Sequence, residues 1–192
     1  MRTVIPDADS MHEFGRTVAG LLQAGDLIVL TGPLGAGKTT FTRGLGEGLQ
    51  VRGSVTSPTF VLARTHPSTI DGPPLVHVDA YRLASALELD DLDIDFARSI
   101  VVVEWGRGML DGIADSWLDI EIERPVGASQ AAASVVPDAT VVADATVVAD
   151  ATVVPDATVV PDATEVFDLD EPRTVTVTPH GPRWADSGEF SE

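Results

Sequence analysis

Leu27-Ile-Val-Leu30, running through Thr31 into Gly32-Pro-Leu-Gly35-Ala-Gly37-Lys38-Thr39-Thr40, is the stretch from which the architecture can be read. Four consecutive apolar residues suit a strand covered on both faces. The next eight residues match G-x-x-x-x-G-K-[ST] in full. With glycine near 7% of residues, such a match arises by chance in a chain of this length about 1% of the time. Behind it, Phe41, Leu45 and Leu49 fall on one side of a helix, although Gly44, Gly46 and Gly48 weaken that helix and leave its end undefined. Strand, glycine turn and helix in this order form a phosphate-binding P-loop. Backbone N–H groups of Gly35 to Thr40 wrap the phosphates, and the helix N-terminus adds positive potential. Lys38 bridges the β- and γ-phosphates of ATP in such a loop, and the Thr39 hydroxyl ligates Mg²⁺.

Composition supports this independently of the glycines. Of twelve Lys and Arg residues, eleven are Arg, and the one lysine is Lys38. A P-loop needs a compact ammonium between two phosphates, where a planar guanidinium does not fit. The lone lysine therefore stands where Arg cannot substitute. The chain of 192 residues can hold one α/β domain, and it has no cysteine for disulfides or thiolate metal sites. No apolar run approaches the roughly 20 residues that span a bilayer. Met1–Ser10 lacks the basic stretch and apolar core of a signal peptide, so a cytoplasmic protein without membrane contact is expected. The net charge of −18 speaks against direct binding of nucleic acid, so a nucleic-acid role is expected to run through a partner.

Around the loop, Ser10-Met-His-Glu13 reads as a capping box. Phe14, Val18, Leu21 and Leu22 follow at helical spacing, and Gly25 ends that helix. Val55 to Leu62 is a turn entering a strand, and His66 to Pro74 is a loop. Leu87 to Phe96 is acidic and partly helical. Leu75–Asp79 and Ile100–Glu104 are apolar strands that each close on a carboxylate, where ligands of open α/β sheets bind. Asp79 and Glu104 are thus the candidates for holding Mg²⁺ and orienting the attacking water, and spacing does not say which does which. Thr59, after Pro58, is either a sensor of the γ-phosphate or a turn threonine. His77 shares a face with Asp79 and reads as a structural histidine. Trp105 is a core aromatic or part of an interaction surface. Leu118–Glu123 and Thr174–Thr178 alternate strictly, as half-exposed antiparallel strands do.

With Gly32–Thr40, Ser57-Pro-Thr-Phe60, His77-Val-Asp-Ala-Tyr-Arg82 and Val103-Glu-Trp105 in this order, the chain resembles the TsaE family over residues 5–124 and 173–184. These are small bacterial ATPases of threonylcarbamoyladenosine synthesis in tRNA. The resemblance implies an α/β fold: a P-loop NTPase three-layer sandwich, with a mostly parallel central sheet and an added C-terminal antiparallel hairpin. It implies that Lys38 and Thr39 serve phosphate and Mg²⁺, that Asp79 is the Walker-B-type aspartate, and that Glu104 acts at the metal and in hydrolysis. Thr59 is similar to the switch threonine. TsaD and TsaB are the implied partners, with tRNA reached through their complex. Gly106 departs from the family's usual Pro after E-W. Two other classes remain. A small-molecule kinase would want an Arg-bearing lid after the P-loop, which is missing, and an ATP-gated scaffold would need no hydrolysis.

Residues 1–124 and 173–184 form the expected domain, and 185–192 a flexible tail. Residues 125–172 interrupt the C-terminal hairpin with nine acids and no Lys or Arg. Within them, Val135–Thr164 is five tandem V-V-P/A-D-A-T hexapeptides. Left-handed β-helices use hexapeptides, but five make fewer than two coils, so a disordered, extended insertion is expected. Deleting Val135–Thr164 should leave the melting temperature of the purified protein unchanged, and a large drop would show that the repeats pack.

Overall fold

The computed structural model describes residues 1–110, 112–125, 171–185 and 188–190. The expectation of disorder in the hexapeptide insertion falls outside these residues. Ten regular elements follow in chain order: β1 (Arg2–Ile5), α1 (Ala8–Ala19), β2 (Leu27–Thr31), α2 (Lys38–Gly48), β3 (Ala63–His66), β4 (Leu75–Asp79), α3 (Ala86–Asp90), β5 (Ile100–Glu104), β6 (Trp117–Glu123) and β7 (Arg173–His180). The strands form one seven-stranded sheet in the order β1-β7-β6-β2-β5-β4-β3. The run β6-β2-β5-β4 is parallel, and β1, β7 and β3 are antiparallel to their neighbours. This is the expected α/β architecture, a parallel centre with a C-terminal hairpin of β6 and β7.

The apolar strands β2, β4 and β5 sit in the middle because both of their faces are covered. On one face Ile28, Leu30, Leu75, Ile100 and Val102 pack with Phe41 and Leu45 of α2 and Met11 and Val18 of α1. On the other, Leu27, Val29, Val76, Val78, Val101 and Val103 pack with Leu83, Leu89 and Leu110. Strand alternation therefore sends the side chains of His77, Asp79 and Glu104 to the same side as α2. That side holds the P-loop. Among the described residues, no helix is long and apolar enough to cross a membrane.

Two local expectations, both about α1, are corrected. Asp7, not Ser10, caps α1: its carboxylate accepts from the Ser10 N–H at 2.7 Å, which puts Ser10 in the first turn. The helix stops at Ala19 rather than running to Gly25, and Leu21 and Leu22 pack on the core from the turns that follow. The N-terminal segment forms β1, which pairs with β7 and carries no alternation long enough to read as a strand. Near the C-terminus, Phe190 is buried edge-on against Trp184 with ring centroids 5.8 Å apart.

The glycines of α2 also have another meaning. A Cβ at Gly44 would overlap the His12 carbonyl of α1, one at Gly15 the Phe41 carbonyl of α2, and one at Gly48 would lie 2.6 Å from the Ala19 Cβ. Their small size lets the two helices touch backbone to backbone, which seats α2 and its N-terminus. Helix propensity alone predicts that Gly44→Ala stabilises by about 1 kcal/mol. The close approach predicts a loss of about 1–3 kcal/mol instead, as expected for overpacking. Urea unfolding should show the loss.

Candidate nucleotide site

The loop between β2 and α2 is shaped by backbone that only glycine adopts without strain. Gly37 is the N-cap of α2 with φ of 104°, and it offers no capping side chain. The first intrahelical bond runs from the Phe41 N–H to the Gly37 carbonyl at 2.9 Å. Lys38, Thr39 and Thr40 occupy the first helical turn, whose N–H groups have no intrahelical acceptor. Ala36 and Gly35 complete the turn, with Gly35 at φ of 71°. The N–H groups of Lys38, Thr39 and Thr40 make an anion cradle in chemical terms, while that of Ala36 is bonded to the Pro33 carbonyl at 3.1 Å.

Lys38 lies 5% exposed inside this turn. Its Nζ donates to the carbonyls of Gly32 at 2.9 Å and Pro33 at 3.1 Å, and lies 3.9 Å from the centroid of the Trp105 ring. Burial pulls the Lys38 pKa below the usual lysine value, while the charges of Glu104 and Asp79 oppose that shift. Trp105, left open between core and surface roles, is thus a wall of the lysine's pocket. It adopts φ of 63°, and the Tyr81 ring meets it edge-on at 5.5 Å.

The two carboxylates meet the loop through register. Asp79 and Glu104 are direct partners across the β4–β5 ladder. The Thr39 hydroxyl donates to Glu104 Oε1 at 3.3 Å. The same oxygen lies 2.9 Å from His77 Nε2. Asp79 is engaged elsewhere: its Oδ2 accepts from the Thr59 hydroxyl at 2.8 Å and its Oδ1 from the Tyr81 N–H at 3.0 Å. All of the residues singled out in the sequence therefore converge on the carboxyl edge of the sheet, with Glu104 directly beside Thr39 and Asp79 joined to Thr59.

Two further features were not read from the sequence. His77 is a neighbour of Glu104 rather than a bystander, although its same-face spacing with Asp79 was visible. The turn from Val55 to Leu62 is held by three arginines: Arg43 Nε to the Val55 carbonyl at 3.2 Å, Arg64 Nη1 to Thr56 Oγ1 at 2.7 Å, and Arg82 Nη2 to the Thr59 carbonyl at 2.7 Å. The two contacts to carbonyls leave no side-chain pattern to find. A separate cavity of about 810 Å³, lined by Pro73, Pro74, Ile94, Asp95 and Ser99, lies at the amino ends of β4 and β5, away from these groups.

The donor set suits a hard cation that keeps part of its shell outside the protein. Hydroxyl and carboxylate oxygens of Thr39, Glu104 and Asp79 are the ligand type that Mg²⁺ prefers. Among the described residues, no group of three His, Cys, Asp or Glu side chains could hold a metal ion on its own. Mg²⁺ is commonly bound in that way, by one or two carboxylates with phosphate and water completing the octahedron.

The family model described as "Threonylcarbamoyl adenosine biosynthesis protein TsaE" matches residues 5–131. The chain belongs to the TsaE family. A Streptomyces coelicolor protein named "tRNA threonylcarbamoyladenosine biosynthesis protein TsaE" is 62% identical over 120 residues, covering 61% of this chain and 81% of that one. Proteins of the same name from Mycobacterium tuberculosis (43% over 129 residues, 62% and 77% covered) and Bacillus subtilis (35% over 126 residues, 64% and 76% covered) are also similar. A crystal structure of YdiB from Bacillus subtilis superposes with a TM-score of 0.58 at 22% identity, over 95% of this chain and 86% of that one, and shares the fold.

Proposed function

We propose that this TsaE-family chain binds ATP with Mg²⁺ at Gly35–Thr40 and hydrolyses it, as a nucleotide-driven accessory in forming threonylcarbamoyladenosine in tRNA. The observation that carries the reading is the Thr39–Glu104 contact at 3.3 Å, at the mouth of a glycine-capped helix and in register with Asp79. A helix N-terminus alone would bind any anion. A hydroxyl and two carboxylates at its mouth are what a phosphoryl-transfer site adds.

Each residue has a task in that reading. The N–H groups of Gly35 to Thr40 hold phosphate oxygens. Lys38 exchanges its bonds to the Gly32 and Pro33 carbonyls for bonds to the β- and γ-phosphates. Thr39, Glu104 and Asp79 hold Mg²⁺, directly or through water. An Mg²⁺ ion held by these residues would supply charge neutralisation at the phosphates. Glu104 orients the attacking water and accepts its proton, and Thr59 couples the Val55–Leu62 turn to Asp79. The names of the relatives support the tRNA-modification setting. A partner pair of the TsaD–TsaB kind would supply the tRNA contact in the cytoplasm, which fits a chain whose net charge is −18.

Two substitutions test the reading. Lys38→Arg keeps the charge and loses the geometry, so ATP binding by calorimetry or turnover should fall near background. Wild-type affinity and turnover in that variant would remove the geometric argument. Glu104→Ala should keep nucleotide binding and lose about 100-fold or more in turnover, the usual scale for a general base. If Glu104→Ala, assayed with TsaD, TsaB and tRNA, still supports many rounds of modification, the protein acts as an ATP-gated scaffold and hydrolysis is incidental.

A further inference from the structure

The side chain of His77 is fully buried in the middle of β4, between Val76 and Val78. The other buried side chains of that strand, Leu75, Val76 and Val78, are apolar until Asp79. An imidazole there is costly, because Nδ1 has no hydrogen-bond partner among the described residues. An aliphatic residue would fill a strand interior without that cost. The single hydrogen bond of the ring goes to Glu104 Oε1 at 2.9 Å. A carboxylate only accepts, so Nε2 is the donor in this bond. The arrangement spends a buried polar atom to gain one directed donor.

That donor acts on a defined oxygen. Glu104 Oε1 receives both His77 Nε2 and, more weakly, the Thr39 hydroxyl at 3.3 Å. Among the described residues no hydrogen bond is directed to Oε2. Without His77, the carboxylate keeps one long bond and can turn about its terminal torsion, which has broad wells.

We propose that His77 is a positioning residue: it pins Oε1 of Glu104 and so leaves Oε2 as the oxygen that meets the attacking water. This rests on the hydrolytic reading of the site given above. His77 touches neither nucleotide nor water in this scheme, and it acts only through Glu104. A buried neighbour that orients a functional carboxylate is commonly worth about 10- to 100-fold in activity.

The test compares His77→Leu, which fills the space without a donor, with His77→Gln, whose amide nitrogen can reach the place of Nε2. The full chain is assayed for kcat and KM with ATP and Mg²⁺, beside the wild type. The expected result is a 10- to 100-fold fall in kcat for His77→Leu with KM for ATP within about threefold of wild type, and recovery of most of the loss in His77→Gln. Should His77→Leu melt early, His77→Asn makes the same comparison, because its shorter amide stays polar yet falls short of Glu104. A folded His77→Leu with wild-type kcat overturns the proposal. So does a loss confined to KM, or a Gln variant as impaired as the Leu variant. A wild type that turns over no ATP, alone or with its partners, overturns the hydrolytic reading and this inference with it. Wild-type turnover beside an unaffected Leu variant removes the role of His77 alone.

Discussion

Burying an ammonium group is costly, and the geometry around the P-loop accommodates Lys38. Its Nζ is withdrawn from water and must be met by acceptors. The Gly32 and Pro33 carbonyls meet it at 2.9 and 3.1 Å, which requires the chain after β2 to curl back over its own first residues. The Trp105 ring covers another side at 3.9 Å, an electrostatic contact that is stronger when desolvated. To reach that position Trp105 takes φ of 63°, a conformation unfavourable for a bulky residue. Glu104 and Asp79 add the opposing charge. Each of these features is costly alone, and the cation makes them mutually consistent.

The same cation explains the placement of the acidic groups. Two carboxylates end adjacent parallel strands in register, so their charges would repel if left to themselves. They are separated by assignment to different partners. Glu104 turns to Thr39 and His77, and Asp79 turns to Thr59 and the Tyr81 N–H. Packing supplies the precision. α2 is seated on α1 through glycine contacts with backbone, which fixes where Thr39 meets the end of β5. Local stability and site geometry are therefore set by one helix–helix contact.

What could be read in the sequence divides along a physical line. The P-loop, its strand, β4, β5 and the terminal hairpin were legible because their signals are local: glycine spacing, continuous apolar runs and strict alternation. Lys38, Thr39, Asp79 and Glu104 could be named because strand termini and motif positions locate them without any contact being known. The missed features depend on distant parts of the chain. β1 exists because β7 lies beside it, about 170 residues later. Gly44 looked like a weak helix position because propensity cannot see His12 across the helix interface. Asp7 and Ser10 both carry capping oxygens, and only the position of the first turn chooses between them. His77 read as structural because its partner is 27 residues away on another strand.

The Val55–Leu62 turn shows how the site reaches the surface. Its arginines bind backbone carbonyls and a hydroxyl instead of carboxylates, bonds that exchange readily with water when they are exposed. Thr59 is the joint: its hydroxyl is on Asp79 and its carbonyl is on Arg82. Next to it, Phe60 is 93% exposed, a large apolar side chain that the domain's own core does not use. Thr59 thus joins Asp79, at the end of a strand packed on both faces, to the exposed part of the turn. The turn is anchored at one end and open at the other: Val55 is buried in the core, whereas Thr59 and Phe60 are exposed.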